Sequence, residues 1–405
     1  MNDLRPIAMT SSVMKSFEKC FLICIKVQVT EFIDPLQFAY VKNRSIDDAL
    51  LHLLNEIYSH LETPGSSIRI MFYDFSSAFN TIQPHLLVHK LRNMKLCPLT
   101  ISWILDYLTD RPQYVRLQQS SPSGLSTKIS DTITTNTGAP QGTVLSPFLF
   151  ILYTADCRTT RDNIIMEKYA DDSSQLGKLI DDDDSHYLSE IEYFVDWCDK
   201  NYLLLNVPKT NEMIIDFRRN KTYPPPVLIK GTEVNRVDFH KHLGLIIDNK
   251  LTWNHNTTSV IKKVNTRIHC LRKLKSFNIN EKLLHLFYSS IIRSSLTFCI
   301  SCWGGNINQG DKNRLDRLVR KSGKIVGTDL DSIDKLRDKT VNRKLTAILE
   351  DVSHPLFLAF DRQRAPRSGR FMLPKIKTNR YLNSFLPSAI KLYNTENTRG
   401  HFNNM

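Results

Sequence analysis

The sequence predicts an α+β fold in its first part and a helical second part. Two patterns carry this expectation. Up to about residue 248, short strand-like apolar runs alternate with amphipathic helical segments; after Trp253, apolar residues recur every three or four positions. Charge divides the chain at nearly the same place. Of the net +13 on 405 residues, residues 1–245 carry about −4 and residues 246–405 about +17.

The elements follow in order. Ile68–Phe75 (IRIMFYDF) reads as a buried strand after the turn Pro64-Gly65. Pro84–Met94 reads as a helix with proline in its first turn. Ile164–Lys168 and Ser174–Ile180 flank a short polar link and read as a hairpin. The acidic run Asp181–Asp184 reads as a solvated loop or a helix start, because like charges repel unless water screens them. Glu190–Tyr202 places Ile191, Phe194, Val195 and Cys198 at helical spacing, and Glu212–Phe217 reads as another strand. Helices on one face of a sheet fit this mixture. Arg218–Pro226 is a break, since three successive prolines continue neither a helix nor an inner strand; Arg364–Gly369 is a second loop.

Beyond Trp253, Val260, Ile261, Val264, Ile268, Leu271 and Leu274 form an apolar stripe. The other face holds Lys262, Lys263, Arg267, Arg272, Lys273 and Lys275, and no acid. Such a face suits a phosphate backbone; an ordinary solvated face is the alternative. Helices are also expected at Glu281–Leu296 and Asp311–Ile325, with the last ~60 residues basic and less regular.

Composition excludes several classes. Hydrophobic residues at 41% and charged residues at 23% are globular values. No apolar run approaches the ~18 residues that span a bilayer, so no membrane is expected. The N-terminus leads into no secretory signal core. Eight dispersed cysteines read as reduced, buried thiols; Cys299 and Cys302 form a CxxC that is either a zinc half-site or a buried helix or turn. The basic second part points to a polyanion such as nucleic acid, or to a surface kept for solubility.

Two acidic sites stand at strand ends. Asp74 has apolar neighbours on both sides, where a bare carboxylate costs desolvation energy. Asp171 and Asp172 sit together in the hairpin link, where they repel unless a cation intervenes. Carboxylates on neighbouring strands could hold two Mg²⁺ ions about 4 Å apart; a capped edge residue and a surface turn are the structural alternatives.

The surrounding segments resemble the reverse transcriptases of non-LTR (LINE-type) retrotransposons. Arg5-Pro6-Ile7 resembles the first fingers motif and Gln37–Leu50 (QFAYVKNRSIDDAL) the second. Phe72–Asn80 (FYDFSSAFN) resembles the palm strand, Gly138–Leu149 (GAPQGTVLSPFL) the template and nucleotide loop, and Tyr169–Asp172 (YADD) the catalytic hairpin. Leu205–Thr210 (LNVPKT) and His242-Leu243-Gly244 resemble the two later palm motifs. Seven motifs in order over about residues 5–244 are far more specific than any one of them.

The resemblance implies a right-hand polymerase: partial fingers over 1–67, a palm over 68–248, a helical thumb over 249–330 and a basic C-terminal extension over 331–405. It implies RNA-directed DNA synthesis from dNTPs on an RNA template and a DNA primer. Two Mg²⁺ ions, replaceable by Mn²⁺, would sit on Asp74, Asp171 and Asp172. Phe79 would exclude a ribose 2′-hydroxyl, or is simply a core ring. Arg5, Gln141, Gly142 and Lys209 would serve the nucleotide, with Lys209 donating a proton to departing pyrophosphate. Lys42 and Arg44 would grip the template, Leu243 and Gly244 the primer, and Lys262, Lys263, Arg267, Arg272 and Lys273 the RNA–DNA duplex. A nuclear and cytoplasmic ribonucleoprotein is the implied setting.

Four departures shape the expectations. Asn80 stands where the family often has Asp, so that position is expected to tolerate change. An upstream triphosphate-binding lysine, an endonuclease domain and a Cys/His knuckle are not found in the sequence. The chain is therefore read as the polymerase part of a longer element, the alternative being a truncated, inactive relic that still binds nucleic acid. Residues 197–244 also resemble the N-terminal region of alkylated-DNA-repair dioxygenases. That iron site needs His-x-Asp/Glu, and His60-Leu61-Glu62 is the sole such spacing read here, so no oxygenase chemistry is expected.

Overall fold

The computed structural model describes residues 7–121, 124–221, 223–366 and 369–402. Two helices open it: α1 (Ser12–Val29) and α2 (Ile46–His60), the latter started by a reciprocal Ser45–Asp48 capping box. Strand β1 (Ser66–Tyr73) follows. Helices α3 (Pro84–Asn93) and α4 (Pro98–Leu108) each carry proline in the first turn. Two small ribbons project next. One pairs β2 (Arg111–Gln113) with β5 (Ile133–Thr135); the other pairs β3 (Arg116–Ser121) with β4 (Gly124–Ile129).

Helix α5 (Ser146–Tyr153) leads to the hairpin of β6 (Ile164–Tyr169) and β7 (Asp172–Ile180). Helix α6 (Ser185–Lys200) and strand β8 (Asn211–Ile215) come next. Five short strands then close this part: β9 (Leu228–Ile229), β10 (Thr232–Glu233), β11 (Asn235–Arg236), β12 (Phe239–His242) and β13 (Leu245–Asp248), the last two pairing with each other. The main sheet has the order β11-β8-β1-β7-β6, so β1 is central.

Position explains why β1 reads as one continuous apolar run. Side chains alternate across a strand, so a central strand covered on both faces has no solvent side. Ile68, Ile70 and Phe72 enter one hydrophobic core; Met71 and Tyr73 enter the other. Arg69 is buried in the same strand. Its guanidinium is held by Glu212 at 2.6 Å and by Asp184, which meets the need of a buried cation for partners.

The second core contains α3, α4, α5 and α6. The first extends from α2 across the sheet into everything after Trp253. Its helices are α7 (Asn254–Ser276), α8 (Glu281–Phe287), α9 (Ser294–Leu296), α10 (Ile300–Trp303), α11 (Gln309–Val326) and α12 (Ile333–Leu349). Three more follow: α13 (Phe357–Asp361), α14 (Asn379–Leu382) and α15 (Phe385–Phe402). No described helix is long and apolar enough to cross a membrane.

Several expectations need correction. Strand β1 ends at Tyr73, which leaves Asp74 just past the strand. Helix α6 begins at Ser185 rather than Glu190, so the acidic run is a helix start, the second of its two readings, with Asp182 and Asp184 bound by Arg218 and Arg69. The helix expected over 281–296 is interrupted by a π-helical stretch, Tyr288–Arg293. The last residues are less regular, as expected, between α13 and α14, yet Leu345, Ile348, Phe360, Phe385 and Ile390 join the first core. All eight cysteines are free, but only four are buried; Cys20, Cys24, Cys97 and Cys270 are exposed. Cys299 and Cys302 are among the buried four, at a helix start, as the second of the two readings had it.

Candidate active site

The acidic positions converge on one end of the main sheet. In the antiparallel register of β1 and β7, Tyr73 pairs with Ser173. The next step sets Asp74 toward Asp172. In the β6–β7 hairpin, Tyr169 pairs with Asp172, leaving Ala170 and Asp171 as the two turn residues.

A loop straps Asp74 in place by its backbone. The Asp74 N–H donates to Thr210 Oγ1 at 3.3 Å, and its carbonyl accepts from the Asn206 N–H at 2.8 Å. Phe75 bridges Leu205, and Ser76 N–H donates to the Leu204 carbonyl at 2.8 Å. The strap contains the 3₁₀ turn Val207–Lys209, which presents Lys209 exposed beside Asp74.

These groups surround a cavity of about 430 Å³ lined by Asp74, Tyr169, Asp172, Lys209, Leu243 and Gly244, among others. The β12–β13 hairpin supplies its far wall. Gly244 has φ +88°, a left-handed conformation that suits glycine, and Leu243 beside it has φ +47°. His240 stacks on Phe72 with ring centroids 4.1 Å apart, and His242 lies 5.1 Å from the same ring. Burial pushes the His240 imidazole down to about 4 and that of His242 to about 3. Both are therefore neutral near pH 7, and the wall's positive charge comes from Lys241.

Asp171 stands outside this lining, beside Tyr40, whose phenol is pushed up by burial and then by the Asp171 charge. Among the described residues, no group of three or more His, Cys, Asp or Glu side chains is close enough to hold a metal ion. The three carboxylates are thus not gathered into the expected cluster. Mutual repulsion favours that separation. The donor chemistry nevertheless fits a hard divalent cation: carboxylate oxygens from adjacent strand ends, two of them facing one cavity.

The loop at Gly138–Gly142 is laced to the turn after β1. Ala139 N–H donates to the Phe79 carbonyl at 2.8 Å, and Gly138 N–H to the Ile82 carbonyl at 2.7 Å. Gly138 has φ +73°, and a Cβ there would sit 2.7 Å from the Asn80 carbonyl oxygen. The Phe79 ring is half-buried against Phe150, centroids 4.8 Å apart. Gln141 Nε2 donates to Asn80 Oδ1 at 3.3 Å, and its carbonyl accepts from the Ala8 N–H at 2.7 Å. Gly142 has φ +92°. Arg5 lies outside the described residues.

Glu18 was not picked out from the sequence. It is fully buried, and its carboxylate accepts from Val144 N–H at 2.6 Å and Leu145 N–H at 3.1 Å. It thereby holds the approach to α5. The available signal was one acid inside an apolar helical stretch, Phe17–Val29.

Of the nucleic-acid candidates, Lys42 is exposed on the loop before α2. Arg44 is not available to a template. Its guanidinium pairs with Asp351 at 2.6 Å and donates to the Ser353 carbonyl at 2.7 Å, so it is a structural tie to the C-terminal helices. On α7, Lys262, Lys263, Arg272 and Lys273 are exposed and make no ion pair among the described residues. Arg267 departs from them: it donates to the Ile291 carbonyl at 2.5 Å and fastens α7 to the π-helical stretch.

Residues 1–247 match the family described as reverse transcriptase (RNA-dependent DNA polymerase). The chain belongs to that family, and its mixture of helices and sheet is consistent with a right-hand polymerase fold. The curated proteins it is similar to are RNA-directed DNA polymerases of transposons and mobile elements, which supports the LINE-type resemblance. "Probable RNA-directed DNA polymerase from transposon X-element" of Drosophila melanogaster is 22% identical over 78% of this chain and 35% of that protein. The RNA-directed DNA polymerase from mobile element jockey of Drosophila funebris is 25% identical over 75% and 33%. "Probable RNA-directed DNA polymerase from transposon BS" of Drosophila melanogaster is 23% identical over 91% and 41%. The chain thus spans about a third to two-fifths of these relatives.

Among solved structures, apo telomerase from Candida tropicalis aligns over 87% of this chain and 60% of that chain, with TM-score 0.39 and 11% identity. Telomerase from Candida albicans in complex with a TWJ fragment of telomeric RNA aligns over 86% and 58%, with TM-score 0.37 and 11% identity. A second family, described as alkylated DNA repair protein alkB homolog 8, N-terminal, matches residues 253–294. That is α7 and the helices after it, not the 197–244 stretch expected from sequence.

Proposed function

We propose that this chain carries out RNA-directed DNA synthesis, in which a primer 3′-hydroxyl attacks the α-phosphate of a dNTP and pyrophosphate leaves. One observation carries the reading: Asp74, Asp172 and Lys209 face a single cavity with the Leu243–Gly244 hairpin as its wall. Divalent ions, two Mg²⁺ with Mn²⁺ as a substitute, would be held by Asp74, Asp172 and the neighbouring Asp171, and would acidify the hydroxyl and neutralise phosphate oxygens.

The chain's own groups do the rest. Lys209 sets an ammonium beside Asp74, placed to balance charge on pyrophosphate and to give it a proton. The β12–β13 hairpin offers neutral imidazoles, Lys241 and a glycine backbone to the primer end; its acid, Asp248, is buried outside the cavity lining and bound by the Thr252 and Trp253 N–H groups. Phe79 and Gln141 border the nucleotide side, where an aromatic ring excludes a 2′-hydroxyl by bulk. Lys42 faces the template. The division into partial fingers, palm, thumb and C-terminal extension and a nuclear and cytoplasmic ribonucleoprotein setting belong to the same proposal.

The decisive test is primer extension on an RNA template with dNTPs and Mg²⁺, beside the Asp171→Asn variant. Extension is expected from the unaltered chain and not from the variant. Failure of both, with salt-sensitive RNA binding kept, would reject polymerase activity in this chain.

The unpaired cations of α7 give a second expectation. The logarithm of the affinity for an RNA–DNA duplex should fall linearly with the logarithm of salt concentration. Each phosphate contact adds about 0.9 to the slope. Replacing Lys262 and Lys273 by alanine should therefore flatten the slope by about 2. An unchanged slope would mean that α7 does not follow the backbone.

A further inference from the structure

The acidic turn has a built clamp that the mechanism above does not use. Residues 34–39, in the loop before α2, run alongside β6 and bind it at three points. Phe38 N–H donates to the Lys168 carbonyl at 2.9 Å, and Lys168 N–H donates to the Leu36 carbonyl at 3.0 Å. Lys168 Nζ, buried, pairs with Asp34 at 2.6 Å and donates to the carbonyls of Thr154 and Cys157 at 2.8 and 2.6 Å. The third point is the side chain of Gln37. Its Oε1 accepts from the Ala170 N–H at 3.1 Å and from the Ala39 N–H at 3.0 Å.

The contact falls where the turn most needs it. Ala170 has φ +58°, a left-handed conformation that costs a residue with a Cβ and that glycine would take freely. Ala170 is the residue between Tyr169, which still pairs in the ladder, and Asp171. Fixing its N–H therefore fixes the direction in which both aspartates leave the hairpin. Gln37 is 2% exposed, and its Nε2 has no partner, so the oxygen is the atom that the structure uses. A glutamate would offer the same oxygen but add a negative charge behind two carboxylates that already repel.

We propose that Gln37 is a positioning residue that holds Ala170 in its left-handed conformation and thereby orients Asp171 and Asp172. As a statement about catalysis this rests on the proposed polymerase reading. As a statement about the turn it does not.

The test is a double-mutant cycle of Gln37→Met and Ala170→Gly in the full chain, read in two ways. Methionine keeps length and volume but removes the acceptor; Gln37→Leu is the second variant should methionine prevent folding. In primer extension, Gln37→Met should lower kcat about 100-fold, the loss expected for a misplacement near 1 Å. KM for dNTP and RNA affinity should stay within about two-fold, because nothing that binds them is removed. In the Ala170→Gly background the same change should cost about 10-fold or less, since glycine needs no help to adopt φ +58°. In amide hydrogen exchange, Ala170 should lose protection in Gln37→Met while β6 and β7 keep theirs.

Equal losses on both backgrounds, or a change in KM with kcat kept, would overturn the proposal. So would unchanged Ala170 protection. If the unaltered chain does not extend a primer, the polymerase reading fails, and exchange alone then decides whether Gln37 clamps the turn.

Discussion

Asp48→Ala should destabilise the chain by about 3–5 kcal/mol, the cost of removing one partner from a buried ionic cluster. Asp48 is 2% exposed and lies in the first turn of α2. One carboxylate oxygen accepts from the Ser45 backbone N–H at 2.9 Å and its hydroxyl at 2.5 Å. The other accepts from Lys344 Nζ at 2.9 Å and His354 Nε2 at 3.0 Å. Alanine would uncap the helix and leave a buried imidazole and a largely buried ammonium without their anion.

The pH dependence has a defined sign. Burial pushes the Asp48 carboxyl up, but hydrogen bonds from His354 and Ser45 and the Lys344 charge outweigh it and hold the group well below the usual carboxylate range. A depressed folded value means stability that is complete above the unfolded value, near 4, and lost as pH falls through the folded one. The gap between the two chains in urea should therefore be widest above about pH 4 and narrow below it. A gap under about 1 kcal/mol at neutral pH would mean that the cluster contributes no more than a surface pair.

The consequence reaches the palm because α2 is gripped at both ends. At its start, Arg44 binds Asp351 and Ser353. At its end, Glu62 accepts from Thr378 N–H at 3.1 Å and from the Thr378 hydroxyl and Lys377 N–H. Helices α12 to α15 are thus part of what holds the loop before α2, and that loop carries Gln37.

These ties mark the boundary of what the sequence discloses. Strand β1 and the β6–β7 hairpin are legible because a central strand writes its burial into eight consecutive residues, Ser66–Tyr73, and because YADD interrupts two apolar runs. The α7 stripe is legible for the same local reason: Val264, Ile268 and Leu271 recur at helical spacing and are buried. Arg44 is not legible. Its partner lies 307 residues away, and a basic residue in a motif expected to grip template looks the same whether it faces a phosphate or Asp351.

Helix α12 shows the opposite failure. Ile333, Leu336, Val341, Leu345 and Ile348 are buried, but dense positive charge obscured the period. The structure accounts for part of that charge by pairing Lys335 and Lys339 with Asp331, and Lys344 with Asp48. The site was legible as a set of motifs, yet not as geometry. Register advances Asp74 toward Asp172, while Asp171, in the turn, stands near Tyr40.

Asp74→Asn should abolish most primer extension, by about 10³-fold or roughly 4 kcal/mol of barrier, while leaving the fold unchanged. The two halves of this expectation have separate grounds. Every hydrogen bond that anchors residue 74 uses its backbone: the N–H to Thr210 and the carbonyl from Asn206. Asparagine keeps that backbone and nearly the same volume, so thermal unfolding should shift by little. What it removes is one of the two carboxylate charges that face the cavity together with Lys209. In the proposed nucleotidyl transfer, negative charge would build on phosphate oxygens there, and a cation held to meet it would need carboxylate ligands. Single-turnover extension by the variant, with its melting temperature and RNA affinity measured alongside, separates the two grounds. A loss under ten-fold would remove Asp74 from the chemistry, whereas a large loss accompanied by a lowered melting temperature would return it to the fold.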